Sequence, residues 1–310
     1  MKKVVVTGGA GFIGSNLVQA YKSHGFEVIV VDNLTTGKLE NIPNDIKFYE
    51  MDIRNPQFIE IILKEQPDII NHHAAQIDVQ FSIQNPIEDA SINILGTINV
   101  LESLRQLKEI KNCNLIYASS AAAYGNPSYL GVDEKHSTNP ISFYGSSKLS
   151  PEMYIKIFHD LYAIPYSIFR YANVYGIGQD PKGEGGVISI LVDRIVNNSL
   201  FTLYGDGEQT RDFIFVQDIV NANLIASEHP INDTCNISTN IPTTLHDLIR
   251  VAEDVIERKI EIEYEEERPG DIKYSYLTCQ KAESLLSWKP KYTLHEGLKA
   301  TINHYNSRKK

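Results

Sequence analysis

Short runs of β-branched residues alternate with amphipathic stretches through the first half of the chain. Residues 4–6 (Val-Val-Val) form an apolar run, and residues 11–24 carry Ile13, Leu17, Val18 and Tyr21 at helical spacing. Residues 28–31, 46–49, 68–71, 115–118 and 166–169 predict further strands. Residues 58–63 and 143–161 predict helices. Pro86 suits the first turn of a long helix whose apolar positions include Ile94, Leu95, Ile98, Leu101 and Leu104. Alternation of this kind predicts an α/β fold, a doubly wound parallel sheet covered by helices on both faces.

The pattern breaks after Gly176. A glycine-rich stretch with Gly183, Gly185 and Gly186 leads to a helix around residues 188–196, and shorter elements follow. The expected division is a dinucleotide-binding domain over 1–175 and a smaller α+β substrate domain over 176–310. A later segment near 212–238 is a candidate to return to the first.

Composition narrows the partners. The 310 residues carry 29 Lys and Arg against 39 Asp and Glu, a net charge of −10. That balance disfavours a broad basic surface for nucleic acid or anionic membranes. Cys113, Cys235 and Cys279 are far apart and form no C-x-x-C pair, as expected in a reducing compartment. The first apolar run is too short for a signal-peptide core, and no run approaches the ~20 residues of a membrane span. The expectation is a soluble cytoplasmic protein with neither nucleic-acid nor membrane partners.

Gly8, Gly11 and Gly14 lie between the first strand and first helix. Glycines there permit a tight turn, close approach to a pyrophosphate and tight helix–strand packing, and the helix N-terminus offers free N–H groups. Asp32 ends the second strand, eighteen residues past Gly14. An acid at that place accepts from the ribose 2′-OH and repels a 2′-phosphate, favouring NAD over NADP. A strand–turn–helix without ligand is the plain alternative.

Tyr144 and Lys148 sit four apart at the start of a predicted helix and so share a face. A free tyrosine, pKa ~10, is a poor base. A neighbouring ammonium favours its phenolate. The spacing alone proves little, because Tyr305 and Lys309 repeat it near the C-terminus. The first pair has company: a strand ending in Ser119 and Ser120, with Tyr124-Gly125 close behind.

These residues resemble the extended short-chain dehydrogenases/reductases, in particular the nucleotide-sugar 4-epimerase group typified by UDP-glucose and UDP-N-acetylglucosamine 4-epimerases. The similarity runs over essentially the whole chain. It includes Asp32-Asn33-Leu34-Thr35-Thr36-Gly37, Asp52-Ile53-Arg54, His72-His73-Ala74-Ala75-Gln76 and Asn93-Ile94-Leu95-Gly96-Thr97. It continues through Ser119 to Gly125, Tyr144 to Lys148, Arg170 to Gly176, Gly205 to Phe213 and Arg268-Pro269-Gly270-Asp271.

The resemblance implies an NAD-dependent isomerase. NAD takes a hydride from the sugar C4, and after the 4-keto sugar turns over, the hydride returns to its other face. Tyr144 would be the general base and acid, Ser120 its hydrogen-bonding partner at the 4-OH, and Lys148 the holder of the nicotinamide ribose. Phe12, Ile13, the segment Asp32 to Gly37, Asp52, Ile53, Ala74, Ala75, Gln76, Asn93, Ser119 and Ala172 would line the cofactor. Asn173, Val187, Thr202, Tyr204, Arg211, Arg268, Asp271 and Ser275 would line the UDP-sugar. Independently, two arginines suit a diphosphate through forked hydrogen bonds. The bland alternatives are an exposed Arg211–Asp212 ion pair and an Arg268 paired among Glu265–Glu267. Lys182 reads as solvated.

The departures also inform. Related dehydratases and decarboxylases place acids just after the catalytic hydroxyl residue, where this chain has Ala121, Ala122 and Ala123; elimination then lacks its acid and base. Ile177-Gly178-Gln179-Asp180 stands where Pro-Arg-Gln is common, and the missing arginine and added carboxylate together argue against a uronic acid. His72 and His73 look like a metal pair only superficially and are expected to be structural; no metal is expected. Ser275, small where a tyrosine would restrict the pocket, implies tolerance of N-acetylhexosamines. Family members commonly pair through helices matching 86–107 and 143–161, so a homodimer is expected. The alternatives are a UDP-glucuronate 4-epimerase, another nucleotide-sugar reductase or dehydratase, or a non-catalytic dinucleotide-binding regulatory protein. The presence of Ser120, Tyr144 and Lys148 counts against the last.

Overall fold

The computed structural model describes residues 1–181, 186–267 and 272–308. Seven parallel strands form its main sheet: β1 (Lys3–Thr7), β2 (Glu27–Asp32), β3 (Lys47–Glu50), β4 (Ile69–His72), β5 (Asn114–Ser120), β6 (Tyr166–Tyr171) and, from the second half, β11 (Asp233–Ile237). The order is β11-β6-β5-β4-β1-β2-β3. Strands covered on both faces read as unbroken apolar runs, and Val4, Val5 and Val6 of β1 are fully buried. The order reverses between β1 and β4, which opens a crevice at the carboxyl ends of the strands.

Helices α1 (Phe12–Ser23), α2 (Gln57–Glu65), α5 (Gly96–Leu107) and α6 (Phe143–Tyr162) cover the sheet. Two short helices, α3 (Val79–Gln84) and α4 (Pro86–Ala90), precede α5. The expected single helix from Pro86 is interrupted: residues Ser91–Leu95 form a π turn before α5. Leu95, expected among its apolar positions, is 59% exposed, whereas Leu101 and Leu104 are buried. The wider turn rotates Asn93 inward, where it is 2% exposed. Single π turns of this kind recur at functional sites.

The second half adds β7 (Asn173–Tyr175), α7 (Val187–Asn197), β8 (Phe201–Tyr204), β9 (Thr210–Arg211), β10 (Phe213–Phe215), α8 (Val216–Glu228), β12 (Thr243–Thr244), α9 (Leu245–Ile256), β13 (Ile262–Glu265), α10 (Gln280–Leu286) and α11 (Leu294–Arg308). β7 pairs with β10, β8 with β13 and β9 with β12. A separate apolar cluster joins α7, α9 and α11. The chain crosses back: β11 pairs with β6, and α8 packs on α1. Trp288, just past α10, is buried in the same cluster as Leu17, Val18 and Tyr21 of α1.

Candidate active site

The turn after β1 is tight because its glycines touch backbone. A Cβ on Gly8 would meet Ala74 N at 2.6 Å, and one on Gly14 would meet Gly8 O at 2.0 Å. Gly11 differs: its φ is −79°, and an added Cβ would meet only Gly8 O, at 3.4 Å. Nothing in the protein demands glycine there, so the bare backbone leaves room for a ligand. Among the described residues no side chain caps α1. Gly11 and Phe12, where α1 begins, line a cavity of about 180 Å³ together with Thr36, Lys38, Gln179 and Asp180 among others. Free N–H groups and a helix dipole suit the pyrophosphate of a dinucleotide.

Asp32 closes β2 beside this cavity. Its carboxylate accepts from Ala10 N at 2.9 Å and Leu34 N at 2.8 Å, while burial pushes its pKa up. Asn33, Thr35 and Thr36 are exposed, and Gly37 packs so closely that a Cβ would come within 2.9 Å of Asp32 Oδ1. Asp52 is gripped by Arg54, through Nε at 2.9 Å and Nη2 at 2.8 Å, which holds its pKa down at about 2. The Ile53 side chain is buried where a Cβ on Gly96 would strike its Cδ1 at 2.6 Å. That side chain packs in the core, and only its backbone remains for a cofactor.

Ser120 ends β5 and caps the short turn Ala121–Ala123 by accepting from Ala122 N at 3.2 Å. The start of α6 presses on that turn: a Cβ on Gly145 would meet Ala122 O at 2.6 Å. This contact brings Tyr144, half-buried in the first turn of α6, beside the Ser120 turn. Ser142 caps α6 by accepting from Gly145 N. Lys148, one turn on, is 4% exposed and lies with Nζ 4.8 Å from the centre of the Tyr117 ring. Burial lowers its pKa to about 8, against the opposing pull of Glu152 and Asp89.

Asn93 ties the π turn to both neighbours. Its amide donates to Ser147 Oγ at 2.9 Å and Gln76 O at 3.0 Å, and its carbonyl accepts from Gln76 N at 2.8 Å. Ala74 N donates to Thr7 Oγ1 at 3.3 Å, so Ala74, Ala75 and Gln76 run along the crevice edge. Ala172 continues β6 and donates to Ile237 O. Ser119 is turned away from the crevice: its hydroxyl donates to Glu152 at 2.6 Å. That hydroxyl is engaged inside the protein, by α6.

His72 is locked between Thr7 Oγ1, at 2.7 Å from Nδ1, and Thr97 Oγ1, at 3.0 Å from Nε2. His73 stacks on Tyr171 with Nε2 3.1 Å from its hydroxyl. Burial and the Lys148 charge lower the His73 pKa to about 3, and burial holds that of His72 well below its ordinary value. Both rings are neutral. Among the described residues no His, Cys, Asp and Glu cluster suits a metal.

On the other side of the crevice, Asn173 opens β7 exposed, its N–H bonded to Asp212 O. Arg211 donates to the carbonyls of Thr210 and Ile272. The Asp212 carboxylate is instead taken up by Thr239 and Asn240. Ser275 N donates to Thr210 O at 3.2 Å, which places Ser275 beside Arg211. Val187 starts α7, and Thr202 and Tyr204 lie at the half-buried positions of β8. Lys182, Gly183, Gly185, Arg268 and Asp271 lie outside the described residues.

The Asp180 carboxylate sits 2.8 Å from Lys38 Nζ, beside the glycine turn. Tyr305, set aside in the sequence, accepts from Gly178 N and donates to Gln179 O. Lys38 and Glu152 carried no sequence signal, because the partners that fix them, Asp180 and Arg170, are distant in the chain.

Comparison with known proteins agrees with this geometry. Residues 5–301 match the family model described as GDP-mannose 4,6 dehydratase. A Methanocaldococcus jannaschii protein with the provisional name UDP-glucose 4-epimerase is 45% identical over 301 residues, 97% of each chain. The Thermotoga maritima UDP-glucose 4-epimerase, solved with UDP-glucose, superimposes with a TM-score of 0.95 at 38% identity, covering 99% of this chain and 100% of that one. The Thermus thermophilus UDP-glucose 4-epimerase, solved with NAD, gives 0.91 at 34% identity over 98% of each.

Proposed function

The chain belongs to the GDP-mannose 4,6 dehydratase family, within the extended short-chain dehydrogenases/reductases, and from that membership we infer its reaction. It is an NAD-dependent UDP-sugar 4-epimerase. Within that activity the reading is a UDP-hexose epimerase that also accepts N-acetylhexosamines. One observation carries it: the Ser120 turn, Tyr144 and Lys148 converge at the carboxyl edge of the sheet, and the turn itself offers three alanines.

NAD, held by the glycine turn, Asp32 and Lys148, would supply the hydride acceptor and donor at C4. Tyr144 takes the 4-OH proton and later returns it. Ser120 holds that hydroxyl, and the Lys148 ammonium favours the Tyr144 phenolate. With alanines at 121–123, no carboxylate in that turn removes a second proton, so the ketone is reduced again rather than dehydrated. Asn173 and Arg211 face the uridine diphosphate, and Ser275 leaves space beside Arg211 for an N-acetyl group. Ile87 of α4, Leu95 of the π turn, and Met153, Ile157 and Leu161 of α6 are exposed, which supports pairing of two copies through these helices.

The test incubates the protein with UDP-glucose, UDP-N-acetylglucosamine and UDP-glucuronate separately, without added cofactor, and resolves the C4 epimers. Epimers of the first two are expected. Net NADH or loss of water would discard the epimerase reading. Turnover of UDP-glucose alone would discard the N-acetyl extension.

A further inference from the structure

Tyr144, Lys148 and Glu152 recur at four-residue spacing and line one face of α6. Burial deepens along it, from half-buried Tyr144 to Glu152 at 1% exposure. The Glu152 carboxylate accepts from Ser119 Oγ at 2.6 Å, Arg170 Nε at 2.9 Å and Arg170 Nη2 at 2.6 Å. Ser119 and Arg170 are register partners across β5 and β6. One carboxylate thus fastens the helix to two adjacent strand ends. The Arg170 guanidinium in turn lies 4.6 Å from the centre of the Tyr124 ring, just past the Ser120 turn.

The groups around Lys148 come from three other elements: Tyr117 of β5, Asp89 of α4, and His72 and His73 at the end of β4. Tyr144 and Glu152 approach from α6 itself. Both histidines are neutral, and burial holds the Tyr117 hydroxyl protonated. Glu152 and Asp89 are the acids among them, and Glu152 is the one fixed by a forked arginine.

We propose that Glu152 is a positioning residue of the active site, clamping the catalytic face of α6 to the ends of β5 and β6 and keeping Lys148 an ammonium. A buried amine is driven toward its neutral form, and a fixed anion one helical turn away opposes that drive. The inference deepens the epimerase reading, because Lys148 serves Tyr144 only while charged.

The test follows Lys148 itself. Protein labelled with ¹³Cε-lysine is titrated by NMR, with the Lys148 resonance assigned from its loss in Lys148→Met. Glu152→Gln is expected to lower the Lys148 midpoint by about one pH unit, a tenfold change in proton dissociation. The alkaline limb of the turnover profile should move with it, and Glu152→Asp should restore both. Should Glu152→Gln fail to fold, Glu152→Gln with Arg170→Gln leaves no orphaned charge; it removes a cation along with the anion next to Lys148, so the midpoint must still fall, by less than in the single variant. An unmoved midpoint in a folded variant overturns the proposal, leaving Glu152 a purely structural clamp. The titration needs no turnover, so an inactive parent protein would sink the epimerase reading while this result still stood.

Discussion

Lys38 Nζ lies 2.8 Å from Asp180 Oδ2, joining the loop after β2 to the loop after β7 beside the N-terminus of α1. An exposed pair of this kind contributes up to about 1 kcal/mol. Here it ties together two walls of the cavity. Lys38→Ala or Asp180→Ala is expected to speed loss of bound NAD up to about fivefold. The check is the rate of NAD release into a scavenging dehydrogenase. Raising salt should reproduce the effect in the parent protein and not in the variants. Equal rates in all three proteins would remove any retaining role.

Tyr144→Phe keeps the ring and removes the acid–base group. Turnover should fall by roughly 10²–10⁴-fold, the usual weight of a positioned proton-transfer group. NAD content measured after denaturation should stay unchanged. Loss of cofactor together with activity would point to a binding role instead.

Asp212 gives a pH dependence with a definite sign. Burial pushes its carboxyl up to about 6, against hydrogen bonds from Thr239 and Asn240 that favour the ionised form. Between about pH 4 and 6 the folded protein holds a proton that the unfolded chain has released. Stability from this group therefore falls as pH rises across that window and is flat above it. The change is at most roughly 3 kcal/mol. Asp212→Asn does not titrate, so the stability gap between parent and variant should change across pH 4–6 and stay constant above pH 7. A gap independent of pH would refute the assignment.

Trp288 is 2% exposed and donates from Nε1 to Asp218 O at 3.1 Å. Trp288→Ala opens a cavity under α1 and removes the indole hydrogen bond. The expected loss is roughly 3–5 kcal/mol in denaturant unfolding. A loss under about 1 kcal/mol would mean that the cluster collapses into the gap.

The strands were legible because sheets covered on both faces select β-branched runs, and the Tyr144–Lys148 pair because helical spacing is local. What escaped was set by distant neighbours. Glu152 reads as any helical surface acid until Arg170 arrives on a strand. Asp180 shows no partner near it in the chain until Lys38, from another loop, pairs with it. Asp212, adjacent to Arg211, suggests a surface pair, yet the turn at 239–240 buries it. The π turn at Ser91–Leu95 is written in residues that suit an ordinary helix, and only the contacts of Asn93 reveal it.

The return of β11 to the edge of the main sheet bears on how the protein is made. Synthesis delivers the chain N-terminus first, and domains generally fold as units. Here the cofactor-side sheet lacks its edge strand until residue 237 has emerged, and α1 lacks the cover of Trp288 until later still. Until then the apolar surface that these two elements cover stays open, and a chain cut at residue 175 would lack both.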